Sequence, residues 1–224
     1  MIAALLAAVL AAVSFDCAAA PFAVRLGIER IVLDSPPGFA DTTELASPRL
    51  QDLSAVLTSA SNRILLFALT DADVRNFETG EKIDAERYML AVTPRNLETT
   101  RVTRDQFDKL VANSLRSLGD KVEATDLTKF LAKQPVGKAN LIAELKKEPE
   151  VVSVLQATHL PPLPGARLFD KETPQYLAFT TTLLLVRGRA LQLSAYTIYR
   201  GPADVEWLVD ITQRWQEEIQ RLNK

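Results

Sequence analysis

The sequence predicts an α+β fold: a mainly antiparallel sheet covered by helices, as an α/β/α sandwich in a single domain. Three observations predict it. Apolar runs rich in β-branched and aromatic residues recur at Ile64–Leu69, Arg87–Val92, Val151–Leu160, Tyr176–Val186 and Arg189–Tyr199. Stripes at helical spacing lie between and after these runs. The best-defined strand pair is joined by a turn of only two residues, which makes those neighbours antiparallel.

The chain of 224 residues opens on MIAALLAAVLAAVSFDCAAA. Ile2 to Val13 has the length of a signal-peptide core, and Ala18-Ala19-Ala20 offers small residues for cleavage after Ala19 or Ala20. The run is too short and too rich in alanine for a membrane span, which takes about 20 strongly apolar residues. Residues 1–20 are therefore expected to be a secretory signal of bacterial type, and residues 21–224 the α+β domain. No Lys or Arg precedes the apolar core, which leaves the true start codon open. Cys17 follows Phe15-Asp16, where a lipobox would have small residues, so a lipoprotein is the lesser alternative.

Pro21 to Leu33 reads as an opening extended segment, stopped by Ser35-Pro36-Pro37-Gly38-Phe39. Ser47-Pro48 starts a short helix, the serine capping free amides and the proline pre-setting the first helical dihedral, with Leu50, Leu53 and Leu57 on its face. Ile64–Leu69 and Arg87–Val92 are expected strands joined by a polar connection. Thr103-Arg104-Asp105-Gln106 forms a capping box, after which Phe107, Leu110, Val111, Leu115 and Leu118 line a helix that Gly119 ends. Shorter helical patterns follow at Leu127, Phe130 and Leu131 and at Leu141, Ile142 and Leu145, giving a helical segment over 103–147. Val151–Leu160 returns to strand character. Tyr176–Val186 and Arg189–Tyr199 form a hairpin around Arg187-Gly188, with register deciding how Phe179, Leu183 and Leu185 stand against Leu191, Leu193 and Ala195. Gly201-Pro202 opens a last helix with Val205, Leu208, Thr212, Trp215, Ile219 and Leu222 on one stripe, expected to cover one face of the hairpin's sheet.

This order of strand, Pro37-Gly38-Phe39, helix, strands, long helical segment, hairpin and final amphipathic helix resembles the PsbP-like and DcrB-like group of α/β/α sandwich proteins. The resemblance is one of layout across most of residues 21–224. It implies an exported or photosystem-accessory kind of protein, few of them enzymes, and it transfers no site residue.

Composition excludes more than it assigns. Lys plus Arg number 26 against 28 Asp plus Glu, a formal net charge of −2, so no overall field of either sign recruits nucleic acid or an anionic bilayer. Cys17 is the single cysteine and precedes either cut, which excludes disulfides, cysteine nucleophiles and thiolate metal sites from the exported chain. His159 is the single histidine, so a multi-histidine metal site is excluded, and a strand-end histidine bonded to backbone or water is the expected role. Asp71, Asp73, Glu78, Glu81, Asp84 and Glu86 make an acidic connection, but Arg75, Asn76 and Lys82 break the EF-hand pattern and a solvated loop is expected. No serine sits in a G-x-S-x-G elbow, and single scattered glycines make neither a P-loop nor a dinucleotide fingerprint. Tyr196, Tyr199, Trp207 and Trp215 bring aromatic bulk to the C-terminal hairpin and helix, with Trp207 off the main stripe and expected to be partly exposed.

No catalytic residue, metal ligand or cofactor is assigned, and ligand-binding residues stay unknown at this level. The expectation is a non-enzymatic exported accessory or binding protein of the cell envelope, periplasmic or secreted. It would take a protein partner or a small apolar ligand. The alternative is an envelope hydrolase using a carboxylate pair that spacing along the chain does not reveal. A third reading makes the last helix a docking surface in an envelope complex.

Overall fold

The computed structural model describes residues 20–124, 126–161 and 175–224; the expected signal core, residues 2–13, lies outside them. Nine strands and five helices run in the order β1 (Phe22–Leu26), β2 (Glu29–Leu33), β3 (Phe39–Asp41), α1 (Pro48–Val56), β4 (Asn62–Thr70), α2 (Asp71–Glu78), β5 (Arg87–Pro94), α3 (Arg104–Leu118), α4 (Leu127–Leu131), β6 (Asn140–Glu148), β7 (Val151–His159), β8 (Tyr176–Val186), β9 (Arg189–Ile198) and α5 (Pro202–Leu222) among the described residues. Seven strands form one antiparallel sheet in the order β3-β4-β5-β9-β8-β7-β6, and β1 and β2 form a separate hairpin. Helices cover both faces of the sheet, so the α+β sandwich in one domain is what the chain adopts.

The hairpin β8–β9 turns at Arg187 (φ +49°) and Gly188 (φ +73°), the left-handed pair that a two-residue turn needs to match the twist of its strands. Its register, Val186 opposite Arg189 and Thr180 opposite Ala195, puts the two apolar sets on opposite faces. Leu191, Leu193 and Ala195 lie in the core under α5, whereas Leu183 and Leu185 pack with Phe107 and Val111 of α3. Along β8 every second residue from Tyr176 to Val186 is buried, the α5 side of the strand. Leu208, Ile211, Trp215 and Ile219 of α5 enter that core, and the Thr180 and Thr212 hydroxyls meet across the interface at 2.6 Å. The stripe on α5 is thus spent on its own sheet, which removes the reading of that face as a free docking surface. On the other side α1 and α2 pack over β4 and β5 through Leu50, Phe67, Leu69, Tyr88 and Leu90. The Thr103–Gln106 capping box closes reciprocally, and Gly119 ends α3 at φ +74°.

Three segments depart from the sequence-based reading. The opening extended segment is a hairpin, because Gly27 at φ +56° turns the chain and leaves Ile28 in solvent while Leu26, Ile31 and Leu33 enter the core. The polar connection before β5 contains α2, capped by Thr70 and too short and polar to show an apolar stripe. The expected helix through Leu141, Ile142 and Leu145 is the edge strand β6, so the helical segment 103–147 ends with α4. Its register shifts between Leu141 and Ala143 and again between Glu144 and Lys146. Those bulges break the period-two alternation and leave apolar residues at spacings that mimic a helix.

Candidate functional site

The residues singled out in the sequence do not converge. His159 ends β7 with its ring 5.2 Å from that of Tyr176, its backbone oxygen accepting from Gly137; its Nδ1 is buried without a hydrogen-bond partner among the described residues. Of the acidic residues, Asp73 is buried as a clasp: Oδ2 accepts from the Thr70 hydroxyl at 2.8 Å and Oδ1 from the Asp84 amide at 2.9 Å. Glu86 pairs with Arg200, whose guanidinium holds the Glu86 carboxyl below its usual range. Among the described residues no group of three or more His, Cys, Asp or Glu could hold a metal. Trp215 is core, its indole N–H donating to Asp34 O at 2.8 Å. Trp207 is half-buried between Phe39 and Arg87, the Arg87 guanidinium carbon standing 4.2 Å from its ring centre. Tyr196 stacks between Tyr88 at 4.5 Å and Phe179 at 5.4 Å, a row across β5, β9 and β8 in which burial pushes both phenols up.

Asp34 and Glu218 sense each other, as do Asp204 and Glu86, the latter already paired with Arg200. Burial raises Asp34, and the Glu218 charge adds to it; Arg221 holds Glu218 down through an Nε to Oε2 bond of 2.8 Å. A hydrolytic pair needs an acid and a base facing one substrate. Here one member is already committed to a guanidinium.

What the fold does gather is arginine. Strand directions place the start of β4, the end of β5, the β1–β2 turn and the β8–β9 turn at one end of the sheet, tied together by the bond from Val102 N to Gly188 O at 2.8 Å. Arg25 and Arg30 are direct cross-strand partners on the β1–β2 hairpin, both exposed, flanking Ile28, which is 91% exposed. Arg63 pairs with Glu98 and donates to Arg25 O at 3.3 Å; Arg101 lies 3.7 Å from Glu29 and packs over Gly188. Arg187 donates to Arg30 O at 3.1 Å and Asn223 O at 3.0 Å. Beneath the turn, Arg189 is only 3% exposed, and its Nε and Nη1 have no hydrogen-bond partner among the described residues. Glu29 and Glu98 are the acids bonded into this cluster. At the other end of the same strands lies the acidic connection from Asp71 to Glu86. That connection also carries Arg75 and Lys82, and its Glu86 is paired with Arg200. No motif marks the arginine cluster in the sequence, because the arginines come from strand ends and loops spread over more than 160 positions and only strand pairing brings them together.

No protein family and no curated protein matches the chain. Two solved structures are distantly similar to the chain. The crystal structure of the Saccharomyces cerevisiae Ran-binding protein Mog1p is 11% identical, over 89% of this chain and 94% of that one, with a TM-score of 0.40. A Mog1 mutant is 10% identical over 91% and 93%, with a TM-score of 0.37. A likeness this distant transfers neither partner nor residue roles.

Proposed function

We propose that the protein is a non-enzymatic accessory protein of the cell envelope that binds an acidic protein partner through its arginine-rich end. Arg25 and Arg30 carry the reading. Like charges directly opposite on a hairpin destabilise it, and here they frame an exposed isoleucine instead of being neutralised. An apolar knob ringed by guanidiniums suits a partner with a small apolar pocket bordered by carboxylates: the knob supplies desolvated contact, and arginine can meet carboxylate bidentately. Export through residues 1–20, and with it a periplasmic or secreted location, belongs to the same proposal. The support for export is the apolar run Ile2 to Val13 followed by Ala18-Ala19-Ala20, together with the sequence's resemblance in element order to the PsbP-like and DcrB-like group.

The test is site-specific photocross-linking in the host, with the reactive residue at Ile28 or, as control, at the exposed Val136 in the turn before β6. A discrete adduct is expected from position 28 and not from 136, and Arg25→Glu with Arg30→Glu should remove it. Equal adducts from both positions, none from 28, or an adduct indifferent to the charge reversal would overturn the reading. The mature N-terminus, measured by mass on the same material, should be residue 20 or 21.

A further inference from the structure

The end of the sheet away from the arginine cluster carries a hollow of about 520 Å3 beside the edge strand β6. Asn140, the first residue of β6, stands opposite Ala157 on β7, and that pair leads across Ala178 to Thr197, far along the strands from the turn at Arg187 and Gly188. Three pieces close the hollow: the C-terminal end of α3, the segment through Val122, whose N–H donates to Leu141 O at 2.8 Å, and α4 with the turn before β6. Asn140 forms part of the wall and is only 5% exposed. Its Nδ2 donates to Lys138 O at 3.0 Å and to Ala157 O at 3.4 Å, which fixes the amide, because the oxygen in that place would face two other carbonyl oxygens. The Oδ1 therefore turns the other way, toward the hollow. It takes no hydrogen bond among the described residues, and it is not one of the atoms sealed from solvent.

Helix α3 ends at the same wall. Gly119 leaves the helical path at φ +74°, and its N–H closes no cap bond among the described residues, so the last carbonyls of α3 keep the partial negative charge of a helix C-terminus. Asp120 adds a carboxylate next to them, and Arg116 and Lys138 belong to the same rim. All three are exposed, and none is in an ion pair among the described residues. Phe130 and Val122, both half-buried, supply apolar wall. We infer that the hollow is a binding site for a free α-amino acid with an aliphatic side chain: the ammonium donates to Asn140 Oδ1 and faces Asp120 and the α3 carbonyls, the carboxylate meets Arg116 and Lys138, and the side chain lies on Phe130 and Val122. Ammonium has three donors and no acceptor, which suits a site whose inner groups are all acceptors. An amine without a carboxylate would meet Arg116 and Lys138 uncompensated. A carboxylate without an amine could not satisfy Oδ1. A bare metal cation would find one carboxylate and two competing cationic side chains.

The experiment is a ¹⁵N–¹H NMR titration of the labelled protein with L-leucine and, separately, with its two halves, 3-methylbutylammonium and 4-methylpentanoate, at fixed ionic strength and pH. Saturable shifts are expected with leucine, centred on the Asn140 side-chain amide and the backbone of Gly119 and Val122, with each half binding at least about tenfold more weakly. Asp120→Asn and Lys138→Gln, exposed changes that leave the core alone, should each weaken leucine binding at least about fivefold. No saturation with leucine, equal binding of either half, an unmoved Asn140 amide, or unchanged affinity in either variant would overturn the assignment. Neither variant touches the arginine-rich end, so cross-linking from position 28 should be unaffected, and failure of one site is distinguishable from failure of the other.

Discussion

Arg189 is the residue most at odds with ordinary packing. A buried guanidinium normally finds carboxylates or carbonyls for its donors, and an unpaired buried charge is strongly unfavourable; here Nε and Nη1 have none among the described residues. Arg189→Met keeps the aliphatic stem and removes the charge. It should stabilise the protein by roughly 1–3 kcal/mol in urea denaturation. A loss of stability instead would mean that the guanidinium has a compensating partner. Glu86 makes the opposite kind of prediction. Its folded pKa lies below the ordinary glutamate range, first because of the hydrogen bond from Arg200. A depressed carboxyl stabilises the fold above the unfolded value, and that contribution disappears as pH falls through the folded one. The urea midpoint of Glu86→Gln should therefore trail the wild type at pH 7, and the gap should shrink as pH falls below the ordinary glutamate range and through the lowered folded pKa. A gap that stays constant down to pH 3 would assign the difference to packing.

At the scale of elements, the β1–β2 hairpin is the piece whose shape depends most on one position. Gly27 needs its positive φ, and a Cβ there would come within 2.9 Å of Arg189 Nη2 and 3.1 Å of Thr99 O. Gly80 has a similar φ of +78° but open space around it. Both changes to alanine pay the left-handed cost of about 1–2 kcal/mol. Gly27→Ala should exceed Gly80→Ala in a thermal melt, because only it also displaces neighbours. Equal effects would show that Arg189 yields without cost. The hairpin's other anchor is Asn223, which accepts from Val32 N at 2.9 Å and donates to Val32 O at 2.7 Å. On α3 the capping box gives a simpler expectation: Thr103→Ala should cost about 1 kcal/mol, with the loss reported by denaturant midpoint. Capping was legible from four consecutive residues, since it is a local bargain between side chains and the first turn. The β6 strand was not, because its bulges hide the alternation and only pairing with β7 decides it.

At the scale of the molecule, the arginine cluster has a measurable consequence. Exposed arginines steering an acidic partner act over a distance that salt shortens, to about 8 Å at physiological ionic strength. The yield of the adduct from Ile28 should fall steeply between low and high salt, whereas cross-linking that persisted at about 1 M would point to a purely apolar contact. Trp207, packed under Arg87 at the opposite end, should keep its emission spectrum unchanged when that partner binds. A shift there would move the contact to the acidic end.

Two strands and a two-residue turn, a capping box, a proline-opened helix and a final amphipathic stripe are statements about neighbours in the chain, and the sequence alone determined them together with the fold class. Local sterics and hydrogen bonding require nothing more distant. It also bounded the chemistry, since one histidine excludes a multi-histidine metal site and one cysteine excludes a disulfide within the chain. The meeting of Arg25, Arg30, Arg63, Arg101, Arg187 and Arg189 was decided only by the tertiary structure, as were the faces taken by the two hairpin stripes. Each depends on register and strand order, and a register shift of one residue would send every side chain to the other face.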